Sequence, residues 1–327
     1  MDNDSYAKDN KNYFDKLIVN VPELYSQYPP KDSSKNTFDI RKTIFSKIYR
    51  SRFFTLKIRN YLFHFFRRIN LDLTWLDEFK FYWQGCLKGR PFWSSHDFFF
   101  LKNLYRVKFQ NNEVPKEIDS SKDHLDSWQK PEVLYQLLHL VAKESVHNEI
   151  KIIKLLKKYR KIKDLNIIEF GCGTAPIVKS LYEFEPNFNK LKITISDIQT
   201  LAFHYACLRF SHLNNVKSLL LDYKNDFQVV TQEKFDVIFC ITVFEHLQNP
   251  LETIKKFYHL LNDNGLLFFD YIKGNGEGLD TQKAVIERDD VINYIKNNFK
   301  ILSGEVSKEK SIGLCLCEKK AVKSLTK

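Results

Sequence analysis

Two glycines, Gly171 and Gly173, follow a short apolar run and come shortly before Pro176. A glycine in a tight turn lets a ligand approach the backbone closely, because no side chain stands in the way. Pro176 suits the first position of a helix, where a backbone N–H has no intrahelical partner to lose. The stretch therefore predicts a strand, a ligand-binding loop and a helix, which together open a βαβ unit.

Acidic residues occur near the ends of successive predicted strands. Glu169 lies near the end of the first, Asp197 ends the second just before Ile198, and Asp222 ends the third just before Tyr223. A carboxylate there can accept hydrogen bonds from paired hydroxyls or an amino group, and an apolar neighbour can pack on a flat ring. One such acid alone is more often a turn residue or a helix cap. Three in this order predict a ligand site.

A candidate base follows the fourth apolar run, in the pair Glu245 and His246. The ordinary pKa of histidine, about 6.5, suits proton uptake near neutral pH. The alternative is a structural histidine that caps the next helix.

The elements that must position these residues alternate regularly along the chain. Apolar strands that alternate with helical segments predict a parallel sheet covered on both faces. In such sheets ligands bind beyond the carboxyl ends of the strands, where the strand order switches. The predicted strands are 167–170, 192–197, 216–222, 235–241, 266–271, 301–303 and 312–317, and the predicted helices lie within 131–162, 176–184, 199–210, 250–261 and 281–298.

The stretch 169–175 resembles the first motif of class I S-adenosylmethionine-dependent methyltransferases, with Ala175 in place of the last glycine. The stretch 244–250 is similar to the fourth-strand motif of the ubiquinone- and menaquinone-pathway and small-molecule methyltransferases. NAD-dependent dehydrogenases share the acid after the second strand but lack this Glu-His-Leu motif. The resemblance covers about residues 130–320.

This resemblance implies a Rossmann-like α/β domain with a doubly wound, mostly parallel seven-stranded sheet, and S-adenosyl-L-methionine as the cofactor. The cofactor's methionine part would lie at the loop that contains Gly171 and Gly173, here called the glycine loop. Its ribose would lie on the acid of the second strand, and its adenine near the third strand. The implied cofactor-binding residues are Glu169, near the ammonium group, with Gly171, Cys172, Gly173, Asp197, Ile198, Asp222 and Tyr223.

The implied reaction is an in-line attack of the acceptor on the sulfonium methyl group, with His246 and Glu245 as the catalytic residues and His246 as general base. Thr242 replaces an acid that binds a divalent metal in some relatives, so no metal is expected. The motifs of base and glutamine N-methyltransferases and of cytosine-C5 RNA enzymes do not occur. The acceptor is therefore expected to be a small molecule, a sugar or a lipid-linked intermediate.

Composition divides the 327 residues into a polar arm (1–40), a basic, aromatic-rich helical extension (41–125) and the methyltransferase domain (126–320). The polar stretch 111–126 is interpreted as a linker. Residues 41–68 carry nine basic and no acidic side chains, out of a net charge of +11. Such a stretch can lie on an anionic membrane surface, track nucleic acid, or form the solvated face of a docked helix.

Two other classes of function stay open on this basis. One is an RNA or protein methyltransferase that uses 41–68, and the other is a non-catalytic cofactor-binding module. The polar start predicts no signal peptide, and no apolar run approaches the length of a membrane span. Six cysteines without a C-x-x-C pair predict reduced thiols. We therefore expect a cytoplasmic protein, with peripheral membrane contact through 41–68 as an option.

Overall fold

The computed structural model describes residues 78–79, 81–87, 95–111, 120–144, 149–229, 231–275 and 279–320, together with Glu23 and Ser26. The expectations for the polar arm and for the basic stretch 41–68 therefore fall outside the described residues, apart from those two positions.

The chain divides into two compact units. One comprises Met1–Lys108 with Pro131–His147, and the other Phe109–Lys130 with Asn148–Lys327. Within the first unit, the rings of Tyr105 and Tyr135 are 5.8 Å apart. The described helices before the sheet are α1 (Ser95–Gln110), α2 (Ser121–Trp128), α3 (Leu134–Glu144) and α4 (Ile150–Tyr159).

Helix α2 corrects the interpretation of 111–126 as a linker. Ser120 caps the helix, because its hydroxyl accepts a hydrogen bond from the N–H of Asp123 at 3.1 Å. The helix buries His124 and Leu125 and belongs to the same compact unit as the sheet. The stretch is rich in polar residues, and its few core-facing side chains are too sparse to produce a helical signal in the sequence.

The second unit contains a seven-stranded sheet in the order β3-β2-β1-β4-β5-β7-β6. Strands β1 to β5 run parallel, and β7 pairs antiparallel with both β5 and β6. This arrangement confirms the predicted mostly parallel, Rossmann-like sheet. The strands are β1 (Asn166–Phe170), β2 (Lys192–Asp197), β3 (Val216–Leu220), β4 (Phe235–Cys240), β5 (Leu261–Tyr271), β6 (Phe299–Ser303) and β7 (Ile312–Lys319).

The central strands are apolar at consecutive positions because both faces of the sheet are covered. Ile167 and Ile168 point to opposite faces of β1, and both are fully buried. The flanking helices are α5 (Pro176–Phe184), α6 (Leu201–Phe210), α7 (Pro250–Leu260), α8 (Gln282–Ile286) and α9 (Arg288–Asn298).

Two predicted elements differ from the structure by a break or by more than two residues, and the predicted third strand, 216–222, ends at Leu220, so that Asp222 follows it. The single helix expected over 281–298 is divided at Glu287, whose carboxylate accepts a hydrogen bond from the N–H of Leu251 at 3.1 Å. Strand β5 begins at Leu261 rather than after Gly265, since the stretch that reads as a turn, with Asn264 at a positive φ of 58°, is part of the strand.

Candidate active site

The glycine loop leaves β1 through three residues in the left-handed region, Gly171, Gly173 and Ala175, with φ of 63°, 53° and 54°. A Cβ added to Gly171 would lie 2.9 Å from Cγ1 of Val243 and closer still to its Cγ2. Gly171 is therefore required both by its backbone angle and by the packing of the loop after β4. Ala175 occupies the position of the missing third glycine at some cost in backbone energy, about 1–2 kcal/mol.

Replacing Ala175 by glycine is expected to change the free energy of unfolding by less than about 0.5 kcal/mol. The relief of left-handed strain offsets the lost methyl burial and the greater freedom of the unfolded chain. Urea unfolding measures the change, with an unchanged m-value as the test of two-state behaviour. The matched control is Ala206→Gly in the middle of α6, also fully buried, which is expected to cost about 1 kcal/mol or more. Equal losses in the two variants would contradict the argument.

Glu169 stabilises the start of α5, the helix that follows the glycine loop. Its carboxylate accepts hydrogen bonds from the N–H groups of Ile177 at 3.3 Å and Val178 at 2.9 Å, at the start of α5. A negative charge is favourable there because unpaired amides make the beginning of a helix electropositive. Glu169 thus orients the helix that follows the glycine loop, and its predicted contact with an ammonium group stays a prediction.

Arg209 also stabilises this loop, a role that the sequence analysis does not predict. Its guanidinium donates to the carbonyl of Thr174 and to the hydroxyl of Tyr205, both at 2.9 Å. The side chain is buried, and buried arginine is rare unless it is paired. The signal available in the sequence was a lone arginine near the end of the otherwise apolar helix α6.

Asp197 joins the end of β2 to the glycine loop. One carboxylate oxygen accepts from the N–H of Gly173 at 2.6 Å, and the other accepts from the N–H of Ile198 at 2.7 Å. Burial raises the pKa of Asp197 to about 6, against the effect of these two hydrogen bonds and of the nearby His246. The predicted neighbours Gly173, Asp197 and Ile198 are therefore brought together at one edge of the sheet.

The other predicted cofactor-binding residues lie beside this edge. Asp222 is exposed, accepts from the N–H of Lys224 at 3.0 Å and starts a short helix, while Tyr223 is half-buried against the core. Cys172 is buried, and its N–H donates to the carbonyl of Ser196 at 3.0 Å. Burial raises the pKa of its thiol well above the ordinary value, so the side chain is an uncharged filler of the loop.

The loop after β4 carries the predicted catalytic pair. Thr242 has a φ of 58°, unusual for a β-branched residue, and its N–H donates to Asp270 at 2.5 Å. Thr281 holds the other side of the loop, since its N–H donates to the carbonyl of Glu245 at 3.0 Å. Such strained backbone persists where the surrounding contacts fix it, as is common at active sites.

The imidazole of His246 has a defined orientation. Its Nδ1 lies 2.9 Å from the carbonyl oxygen of Leu279 and 3.2 Å from a carboxylate oxygen of Asp280. Both partners are acceptors, so Nδ1 carries the proton and Nε2 is left as the basic nitrogen. Burial disfavours the charged ring, but the hydrogen bond to Asp280 and the charge of Glu245 together raise the pKa of His246 above its ordinary value.

Glu245 is buried, with 4% of its surface exposed, and its Oε2 has no hydrogen-bond partner among the described residues. Burial raises the pKa of this carboxyl to about 7. Glu245 also lines a cleft of about 480 Å³ beyond the end of β5, together with Tyr271, Asp280 and residues of α8 and α9.

Helix α2 contributes aromatic residues that the sequence analysis did not assign to the site. The ring of His246 lies 5.9 Å from that of Trp128 and 6.5 Å from that of His124. Hydrogen bonds tie the helix to the loops after β3 and β2, from Ser121 to Asp226 and from Gln129 to the carbonyl of Gln199, both at 3.0 Å. The buried Nδ1 of His124 and Nε1 of Trp128 have no hydrogen-bond partner within the described part of the chain.

Two features are absent from the described residues. They contain no group of three or more His, Cys, Asp or Glu side chains arranged to hold a metal ion. They also contain no helix with the length and apolar character that crossing a membrane requires. All six cysteines are free.

Comparison with known proteins agrees with this geometry. Residues 143–296 match the family model described as a methyltransferase domain. A ubiquinone biosynthesis O-methyltransferase of Actinobacillus pleuropneumoniae is 22% identical over 162 residues, which are 50% of this chain and 66% of the relative. The (S)-coclaurine N-methyltransferase of Papaver somniferum is 30% identical over 128 residues, 38% of this chain and 34% of the relative.

A crystal structure of an S-adenosylmethionine-dependent methyltransferase from Clostridium acetobutylicum is 14% identical and has a TM-score of 0.42, with 58% of this chain and 100% of that chain covered. The chain spans less than two thirds of the length of the two curated relatives above.

The glycine loop tied to Asp197 at the end of β2, on a sheet of this order, agrees with the resemblance to class I S-adenosylmethionine-dependent methyltransferases. Residues 143–296, just under half of this chain, match the methyltransferase-domain family. The family expected from the motifs at 169–175 and 244–250 is thereby confirmed.

Proposed function

We propose that this chain is an enzyme that transfers the methyl group of S-adenosyl-L-methionine to a small-molecule acceptor. The observation that carries the proposal is the bond from the N–H of Gly173 to Asp197, which lies beside the switch in strand order between β1 and β4. Ligands of doubly wound sheets bind at this switch point.

The residues present fit this cofactor. Gly171 and Gly173 leave room for the methionine part, and Asp197 keeps lone pairs for two ribose hydroxyls beyond its two backbone bonds. Ile198 would pack on the adenine, with the exposed Asp222 near its amino group. Glu169, Cys172 and Tyr223 complete the set, the first toward the ammonium group, the second through its backbone and the third beside the adenine.

The bound cofactor supplies an electrophilic methyl group, so the chain must orient the acceptor and take up its proton. His246 is suited to that task because its Nδ1–H is held by Leu279 and Asp280, which leaves Nε2 free to accept. Glu245 adds a negative charge that stabilises the protonated ring.

The cleft of about 480 Å³ beside Glu245 is the proposed acceptor site, since pockets for small ligands typically have about 300–1,000 Å³. The names of the two curated relatives, which point to ubiquinone biosynthesis and to coclaurine, support a small-molecule acceptor. A cytoplasmic location and membrane contact through 41–68 stay predictions.

The test uses the full-length chain with methyl-labelled S-adenosylmethionine and a cell extract separated into small-molecule, lipid, RNA and protein fractions. Label in the small-molecule or lipid fraction is expected, and Asp197→Ala serves as the inactive control. Label confined to RNA or protein would contradict the proposed acceptor. No label at all, with S-adenosylhomocysteine binding intact, would favour a non-catalytic module.

A separate prediction concerns Trp128, whose ring lies 5.9 Å from that of His246 and which we propose covers the active site. Trp128→Phe keeps an aromatic ring but removes the buried Nε1–H that lacks a partner among the described residues. Because an unsatisfied buried donor costs about 1–3 kcal/mol, the loss of packing is offset, and the ligand-free protein should keep its stability to within about 1 kcal/mol. The kcat/KM of methyl transfer should fall about tenfold if the N–H bonds a ligand.

Tyr258→Phe is the matched control, because it removes a hydroxyl that donates to the carbonyl of Lys320 at 3.4 Å, at the end of α7 that leads into the start of β5 and so opposite the site. It should leave methyl transfer unchanged. A Trp128→Phe protein that unfolds more easily but transfers methyl groups at the normal rate would show that the indole has only a packing role.

A further inference from the structure

The cleft beside Glu245 has an apolar rim. Ile272, Val285 and Ile286 border it and are 43%, 41% and 74% exposed. These are three of the larger exposed apolar side chains among the described residues, and clustering around a cleft indicates a surface that contacts an apolar ligand. The rim therefore suits a molecule with an aliphatic body.

The positively charged groups of the cleft are already engaged. Arg288 donates to three backbone carbonyls of the segment 307–310, Lys273 donates to the carbonyl of Glu309 at 3.3 Å, and Lys308 lies 3.8 Å from Asp289. The Nε–H of Arg288 has no partner among the described residues, but four carboxylates line the cleft, Glu245, Asp280, Asp289 and Glu309, against the three cations. The cleft therefore offers little to recognise an anion.

The inner end of the cleft is acidic. Glu245 keeps one carboxylate oxygen without a partner among the described residues, and it is almost completely buried. Asp280 lines the same cleft, and the charge of Asp270 interacts electrostatically with both Glu245 and His246. An unpaired buried carboxylate is costly, and a cation beside it removes that cost.

We propose that the cleft binds an acceptor with an aliphatic body and a protonated amine, and that the ammonium group pairs with Glu245. This inference rests on the proposed methyl transfer and names the class of its acceptor. The raised pKa of Glu245 fits the arrangement, because the carboxyl is partly neutral without a ligand and ionises when the cation arrives.

The chemistry balances without a further reactant. The ammonium N–H proton passes to Nε2 of His246, the proposed base, which leaves a neutral nitrogen with a lone pair, while Glu245 keeps its negative charge. That lone pair forms the new N–C bond while the C–S bond breaks, and the electron pair of the broken bond stays on the sulfur. The methylated product carries the positive charge that the sulfonium loses.

The experiment compares hexylamine, hexan-1-ol and hexanoate, which share one aliphatic body and differ in charge. Their dissociation constants are measured on the full-length chain saturated with S-adenosylhomocysteine. We expect hexylamine to bind at least tenfold more tightly than hexan-1-ol, and hexanoate to bind most weakly. Glu245→Gln should abolish the preference for the amine, whereas Asp289→Asn, with the same change of charge at the paired rim carboxylate, should keep it.

Equal binding of the amine and the alcohol, tighter binding of hexanoate, or no binding of any of the three would overturn this inference. An amine preference that survives Glu245→Gln would also overturn it. Absence of S-adenosylhomocysteine binding would instead count against the proposed function itself, so the two failures can be told apart.

Discussion

Replacing His246 by alanine is expected to lower the rate of methyl transfer by about 10²- to 10⁴-fold, the usual contribution of a general base. The Nδ1 atom is held by Leu279 and Asp280, so the loss would remove a correctly oriented Nε2. Affinity for S-adenosylhomocysteine should change by less than about threefold. Single-turnover rates and calorimetry together measure the two effects.

A pH profile separates catalysis from a structural role of the histidine. A base works only when unprotonated, so the rate is lost as the pH falls through the pKa of His246, which is raised above the ordinary value. Asp280→Asn removes a cause of that rise, so the acidic limb of kcat/KM should move to lower pH. A rate loss below tenfold in His246→Ala, together with an unmoved limb in Asp280→Asn, would leave His246 with structural contacts only.

Replacing Asp197 by alanine is expected to weaken the binding of S-adenosylhomocysteine about 100-fold or more. Hydrogen bonds to a charged group contribute about 1.5–3 kcal/mol each, and the carboxylate would provide two to the ribose. The substitution also frees the N–H of Gly173, which fixes the glycine loop. Calorimetric titration of the folded variant measures the change.

Asp236→Ala is the matched control for this substitution. Asp236 also accepts two hydrogen bonds, from the N–H of Asn166 and the side chain of Asn262, both at 2.8 Å, but it lies at the amino-terminal end of the strands. Its loss should lower stability without weakening cofactor binding. Equal binding by both variants and the wild type would contradict the assignment of Asp197.

The sheet and the glycine loop could be predicted because their signals are local. The apolar runs, the glycines and Pro176 each act within a few residues, and β2 spans 192–197 as predicted. The break between α8 and α9 at Glu287 could not be predicted, because the carboxylate of Glu287 accepts a hydrogen bond from Leu251, which is 36 residues away.

The surroundings of the site depend on contacts that are distant in sequence. Ser121 donates a hydrogen bond to Asp226, which is 105 residues away. The position of α2 beside His246 therefore cannot be predicted from the local sequence. The tautomer of His246 depends likewise on Leu279, 33 residues later. Residue types thus identified the candidate site residues, while their protonation and their cover required the folded structure.

Hydrogen exchange of the full-length chain with and without S-adenosylhomocysteine tests the central claim most directly, because it locates the bound cofactor without requiring the acceptor. The account predicts slower exchange in peptides that contain the N–H groups of Gly173 and Ile198, and in peptides of α2, with no change around Asp236. Slowed exchange confined to the cleft between Ile272 and Arg288, with the glycine loop unchanged, would contradict it.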